Sequence, residues 1–407
     1  MRPGRRALIS ALTGALAALA MPTLARGQAR QSPRLGILLR GGAQGLIVRH
    51  GAKIAAELAN RRGRPLALRF AESGGDGEVA QRAVTRLIDD GADVVISTCG
   101  EATTLAALQV AERRETPLII ACAGAPGLTD RGARMVVRSA PTMSQLIGRG
   151  LGLMRDLHAA AALPLPQRLA LVHSQSPEGV VMRTTLSAVL PATNLPIEAY
   201  TEIALPTGPV QADDLLGILA LLRAADADLV LVEAPPRAAA AMIGAILADG
   251  VRPSGLVAFG LSGLASEAVL TLPHAAGENH ITFAPWPEPR SPVTVEVRSL
   301  FARRNPPARF ELVQGELALT VDAVLLASEA MTRQPAARGP ALAAALRATV
   351  LTQKMMRGPP MRFDARGQNT ALPSVALQNQ GGRPVVVLPQ EGAEAPPIWP
   401  NPALIKI

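Results

Sequence analysis

The sequence predicts an α/β protein of two doubly wound, Rossmann-like lobes, and three observations carry that expectation. Short apolar, β-branched runs alternate with helical-period stretches between residues 34 and 259. The strand runs break into small-residue loops, most clearly at Cys99-Gly100-Glu101 and Ala121-Cys122-Ala123-Gly124-Ala125. The rhythm halts at Arg138-Ser139-Ala140-Pro141-Thr142 and then restarts, which marks a second domain of similar build. In open parallel sheets such strand-end loops form the crevice where ligands bind.

The elements follow in order. Residues 34–39 read as a first strand ending at Gly41 and Gly42, with a helix over 46–60. A second strand covers 66–71. After the loop Ser73-Gly74-Gly75-Asp76-Gly77, a helix over 78–90 is closed by Gly91. Residues 92–97 and 117–121 are strands flanking a helix over 103–114. Beyond the break, helices over 144–157, 179–190, 213–225 and 238–249 alternate with strands over 168–173, 197–201, 228–233 and 256–259. The proline-rich stretch 285–292 reads as a crossover or linker. Helices over 293–301 and 319–331 come next, then short strands and turns over 356–388 and an irregular tail, 391–407.

Composition narrows the function. At 407 residues the chain is long enough for two domains, and 48% hydrophobic content places it among folded proteins. Aromatics at 2% limit recognition by stacking. The net charge of +9 is almost all arginine, without the basic stripe and interleaved aromatics of a nucleic-acid binder, so no nucleic-acid partner is expected. Arg2, Arg5 and Arg6 precede an apolar stretch over 7–21, followed by small-x-small sites at Thr23-Leu24-Ala25 and Gly27-Gln28-Ala29. Residues 1–29 therefore read as a signal peptide, and the protein as periplasmic. Loss of that segment removes four arginines and lowers the charge to +5. Arg5-Arg6 leaves Sec and twin-arginine export both open.

Cys99 and Cys122 each follow a strand of one βαβ unit. An oxidising compartment would let a disulfide persist between them; two buried small hydrophobes is the other reading. Metal ligation is a third, with no nearby His to complete a set. The five histidines, His50, His158, His173, His274 and His280, show no ligand spacing, and neither a Gly-x-Ser-x-Gly elbow nor a Gly-Lys-Ser/Thr phosphate loop is present. No enzymatic activity and no cofactor are expected.

Read in order, several segments resemble the type I periplasmic binding proteins, nearest to the branched-chain amino acid receptors of ABC transporters. Pro117-Leu118-Ile119-Ile120 through Gly127-Leu128-Thr129-Asp130-Arg131-Gly132 is similar to the family's fourth strand and loop. Val136-Val137-Arg138-Ser139-Ala140-Pro141 resembles the segment that crosses to the second lobe. Phe363-Asp364-Ala365-Arg366-Gly367 and Gly381-Gly382-Arg383-Pro384-Val385-Val386-Val387-Leu388-Pro389 resemble its C-terminal strands.

The resemblance implies two lobes joined by a three-crossover hinge. Lobe I would hold 34–140 and about 285–355, and lobe II 141–284 and about 356–390. It implies closure on a small-molecule ligand, docking on an ABC permease of the inner membrane, and a monomer. A sensor or accessory protein on the same fold is the alternative.

In the family, the loops after strands three and four hold the ligand carboxylate. The matching positions are Glu101, Ala102 and Thr103, with Ala123, Gly124 and Ala125. A helix beginning near Thr103 would aim its N-terminus at an anion, or Thr103 would simply cap it. The sequence departs from the pattern at Ala102, where a Ser is expected, and after 256–259, where an acidic residue is absent. Glu178 and Pro235 or Pro236 stand where tyrosines are expected. Glu101, Glu178 and Glu233 are the acids left to meet an ammonium.

Overall fold

The structure is a computed structural model that describes residues 32–405, apart from 131, 262, 305 and 307. The expected signal segment, Arg131 and Ser262 lie outside the described residues.

The chain begins with β1 (Arg34–Leu39), α1 (Gly42–Arg61), β2 (Ala67–Glu72), α2 (Gly77–Asp89), β3 (Val94–Ser97), α3 (Glu101–Arg113), β4 (Leu118–Ile120), α4 (Gly127–Asp130) and β5 (Val136–Arg138). These strands form one sheet, ordered β2-β1-β3-β4-β5 and parallel throughout. Next come α5 (Met143–Ala160), β6 (Arg168–His173), α6 (Pro177–Val189), β7 (Ala199–Ala204), α7 (Ala212–Ala225), β8 (Leu229–Glu233), α8 (Pro236–Asp249), β9 (Leu256–Phe259), α9 (Glu267–Leu270) and β10 (Ile281–Ala284). The helices α10 (Pro292–Arg303), α11 (Phe310–Arg333) and α12 (Gly339–Ala348) return to the first lobe, where α10 and α11 pack on α1 and α12 on β5. Finally β11 (Val375–Gln380) and β12 (Arg383–Leu388) complete a second sheet, ordered β12-β11-β10-β9-β8-β6-β7, with β11 antiparallel to both neighbours.

Local chemistry explains the elements. The inner parallel strands are nearly continuous apolar runs because helices cover both faces. Asp76 caps α2 by accepting from the Val79 N–H at 2.8 Å. A capping box between Thr142 and Gln145 starts α5 at the chain break. Glycines move two helix starts forward of the expected positions. Gly41 turns the chain with φ 97°, so α1 begins at Gly42 rather than 46. Gly100, at φ 130°, starts α3 at Glu101, so Thr103 is not the cap. A Cβ on Gly100 would lie 2.5 Å from the Thr103 hydroxyl, in a conformation that L side chains rarely adopt.

Other elements differ from the sequence reading, which lacks α4, β5, α9 and β10 and starts α11 late. β10 is a four-residue buried run, too short for any alternation to show. The helix expected over 319–331 starts nine residues earlier, because Phe310 and Val313 dock into the core on either side of polar Glu311.

Three crossovers join the lobes, and they lie side by side. Backbone bonds tie Arg138 to Gly367 and Asn369, and tie the 286–288 stretch to Met355 and Arg357. Beside the latter pair, Asp322 of α11 is buried and accepts from the Met355 and Met356 N–H groups at 2.7 and 3.0 Å. Lys354 donates to the carbonyls of Met356, Arg357 and Gly358. Burial pushes the Asp322 carboxyl up to about 6.

Candidate functional site

The loops after β3 and β4 lie together at the strand ends. A disulfide joins Cys99 to Cys122, with Cα atoms 4.7 Å apart, so of the readings left open the covalent one holds. It fixes the loop that carries Glu101 against the loop that carries Gly124.

Glu101 is the first residue of α3 and only 8% exposed. Its carboxylate accepts from the Gly124 N–H at 2.6 Å and the Ala125 N–H at 3.1 Å. Fully buried Arg138 grips the same stretch from its other side, donating to the Gly124 and Ala125 carbonyls at 3.3 and 2.6 Å. Burial pushes the Glu101 carboxyl up, while the two N–H donors and the Arg138 charge pull it down. Burial also lowers the Arg138 guanidinium to about 10, against the charge of Glu101.

The remaining first-lobe candidates separate. Ala102 faces solvent on the first turn of α3, and Ala123 is buried. The Thr103 hydroxyl donates to the Gly100 carbonyl at 3.1 Å, and Thr104 pairs with the Ser97 hydroxyl at 2.6 Å. The structure thus gathers Glu101, Gly124 and Ala125 and turns the hydroxyls inward.

The second lobe repeats the arrangement. Glu233 ends β8 and accepts from the Ser174 N–H at 2.9 Å and its hydroxyl at 2.6 Å. Ser176 caps α6 and bonds Ser174 through the hydroxyls. Gly179 lets the α6 terminus come down here, since a Cβ there would strike Ser174 and Glu233. Glu178, in the first turn of α6, meets Arg40 of the other lobe at 3.3 Å, just past β1. The charge of Glu178 also reaches Glu101.

Sequence reasoning missed Arg40, Arg138 and Ser174 as parts of this region. Arg40 and Arg138 are each the first polar residue at the end of an apolar strand run, and Ser174 follows His173 at the end of another, which is the signal that marks them.

A family profile described as "Periplasmic binding protein" matches residues 40–382. The chain belongs to that family. Among curated proteins, no match is found. Solved periplasmic binding proteins share the fold at low identity. An ABC transporter substrate-binding protein from Desulfitobacterium hafniense, in complex with Leu, is 18% identical with a TM-score of 0.68, covering 88% of this chain and 100% of that one. A leucine binding protein from Thermotoga maritima is 16% identical with a TM-score of 0.70, covering 87% and 97%. A solute binding protein of an R. palustris ABC transporter, in complex with benzoate, is 19% identical with a TM-score of 0.67, covering 93% and 100%.

Proposed function

We propose that this periplasmic binding protein is the extracytoplasmic receptor of an ABC importer. It holds a small polar metabolite, such as an amino acid, an amide or a related compound, between its lobes. The observation that carries this reading is the meeting of the two sets of strand ends, bridged by Arg40 and Glu178. The relatives named above, with Leu and benzoate bound, support a small-solute role.

Lobe I comprises 34–140 with about 285–355, and lobe II 141–284 with about 356–390. A ligand with higher affinity for the closed arrangement drives closure about the three crossovers. The closed monomer then presents both lobes to an inner-membrane permease. A leader over 1–29 and a disulfide suit export to an oxidising compartment.

Mass spectrometry of small molecules released from the purified protein, paired with a thermal-shift screen, tests the reading. A receptor yields a metabolite that raises Tm in proportion to its excess. No response to any solute sinks it and favours the second reading, a sensor or accessory protein. The bonds of Glu101 to Gly124 and Ala125, and of Glu233 to Ser174, favour that second reading, because the strand-end donors are already engaged.

A further inference from the structure

Two adjacent backbone N–H groups at a strand end, beside the first turn of a helix, form a site for an anion. In this chain the anion is supplied from within. Glu101 places a 92%-buried carboxylate on the Gly124 and Ala125 N–H groups, at the positive end of its own helix, with Arg138 behind the same peptide units. We propose that Glu101 is a built-in occupant of this anion hole and sets the specificity of the cleft against carboxylate ligands. The specificity part rests on the receptor reading and narrows its ligands to amides, amines and other solutes without a free carboxylate; the occupancy part does not rest on it.

The physical case is one of donors and charge. A carboxylate entering here finds both N–H groups taken. In the other lobe, the Ser174 N–H and hydroxyl are taken by Glu233. The hydroxyls of Thr103 and Thr104 are bonded internally. The nearby Arg40 is paired with Glu178 through one Nη, and both Nη groups of Arg138 donate to carbonyls. An incoming anion would lose its water, find the two amide donors and the strand-end hydroxyls engaged, and face the Glu101 charge at close range. A neutral amide or an ammonium meets no such penalty. Glu101 therefore acts as a gatekeeping acid, and its removal should convert the hole into a carboxylate site.

The test uses the full-length protein and thermal unfolding. Glu101→Ala leaves two N–H groups unpaired, so its Tm falls below wild type. Acetate or formate should then restore it by about 2 °C for each tenfold rise in concentration. Chloride at equal ionic strength should not, and wild type should ignore acetate. A Glu101→Ala protein as stable as wild type, or one that acetate does not rescue, overturns the occupancy claim. If that variant cannot be purified, Glu101→Gln decides: its amide lacks the charge and puts an NH2 donor where the second acceptor oxygen stood, so the charge-assisted bonds are lost and an unchanged Tm overturns the claim. For specificity, wild type is titrated with benzoate, benzamide and benzylamine. Stabilisation by benzoate equal to that by its amide or amine overturns the exclusion. If wild type responds to none of the three but acetate rescues Glu101→Ala, the occupancy claim stands while the receptor reading loses support.

Discussion

Buried ionisable side chains set the acid response residue by residue. His280 is 1% exposed, its Nε2 bonded to the Ala276 carbonyl at 3.0 Å, and burial lowers its pKa from 6.5 to about 4. Between those values the unfolded chain takes a proton that the folded chain refuses. The contribution of His280 is therefore complete above pH 6.5 and is lost as pH falls towards 4, at about 3 kcal/mol. Asp322 runs the opposite way. Its raised carboxyl pKa means that stability is fullest below about 3.8 and falls as pH rises through about 6. Urea unfolding at pH 4 and pH 7 separates them, since His280→Gln should flatten the acid loss relative to wild type. Coincident slopes for the two proteins would count against this assignment. Asp322→Ala leaves two buried N–H groups unpaired and removes a negative charge near Lys354, so it should cost about 3–5 kcal/mol at pH 7, read from the same denaturation curves.

At the scale of elements, the disulfide ties β3 and β4 through a 23-residue separation, worth about 3 kcal/mol by loop closure. A reductant, or Cys99→Ser with Cys122→Ser, should lower the denaturation midpoint. An unchanged midpoint would show that the bond adds nothing. Gly100→Ala forces an unfavourable backbone and a clash with Thr103, at about 1–3 kcal/mol, in the same assay. Most elements were legible in the sequence because parallel strands are short, dense apolar runs between longer periodic helices. Helix starts were not, since Gly41 and Gly100 displace them through backbone angles that side-chain periodicity does not encode. The candidate site was half legible. Position alone placed Glu101, Gly124 and Ala125 at neighbouring strand ends, but nothing local announces that the acid would bond the two amides.

For the whole molecule, the two-lobe plan could be read from the interruption at Arg138 to Thr142, whereas the pairing across the lobes could not. Arg40 and Glu178 are 138 residues apart and leave no local pattern. Their side chains are 44% and 31% exposed, so the pair is worth at most about 1 kcal/mol, or roughly a fivefold bias towards the arrangement in which they meet. Arg40→Ala, or high salt, should enlarge the radius of gyration measured by small-angle scattering. Identical curves would remove the pair from any role in closure. Arg138 extends this logic. Its main chain runs in a crossover, bonded to Gly367 and Asn369, while its guanidinium clasps the loop of Gly124 and Ala125. One residue is therefore both axle and finger: in the proposed hinge motion, rotation about the connecting strands would reach that loop through its guanidinium, and a solute seated on the loop would change the torque on the joint.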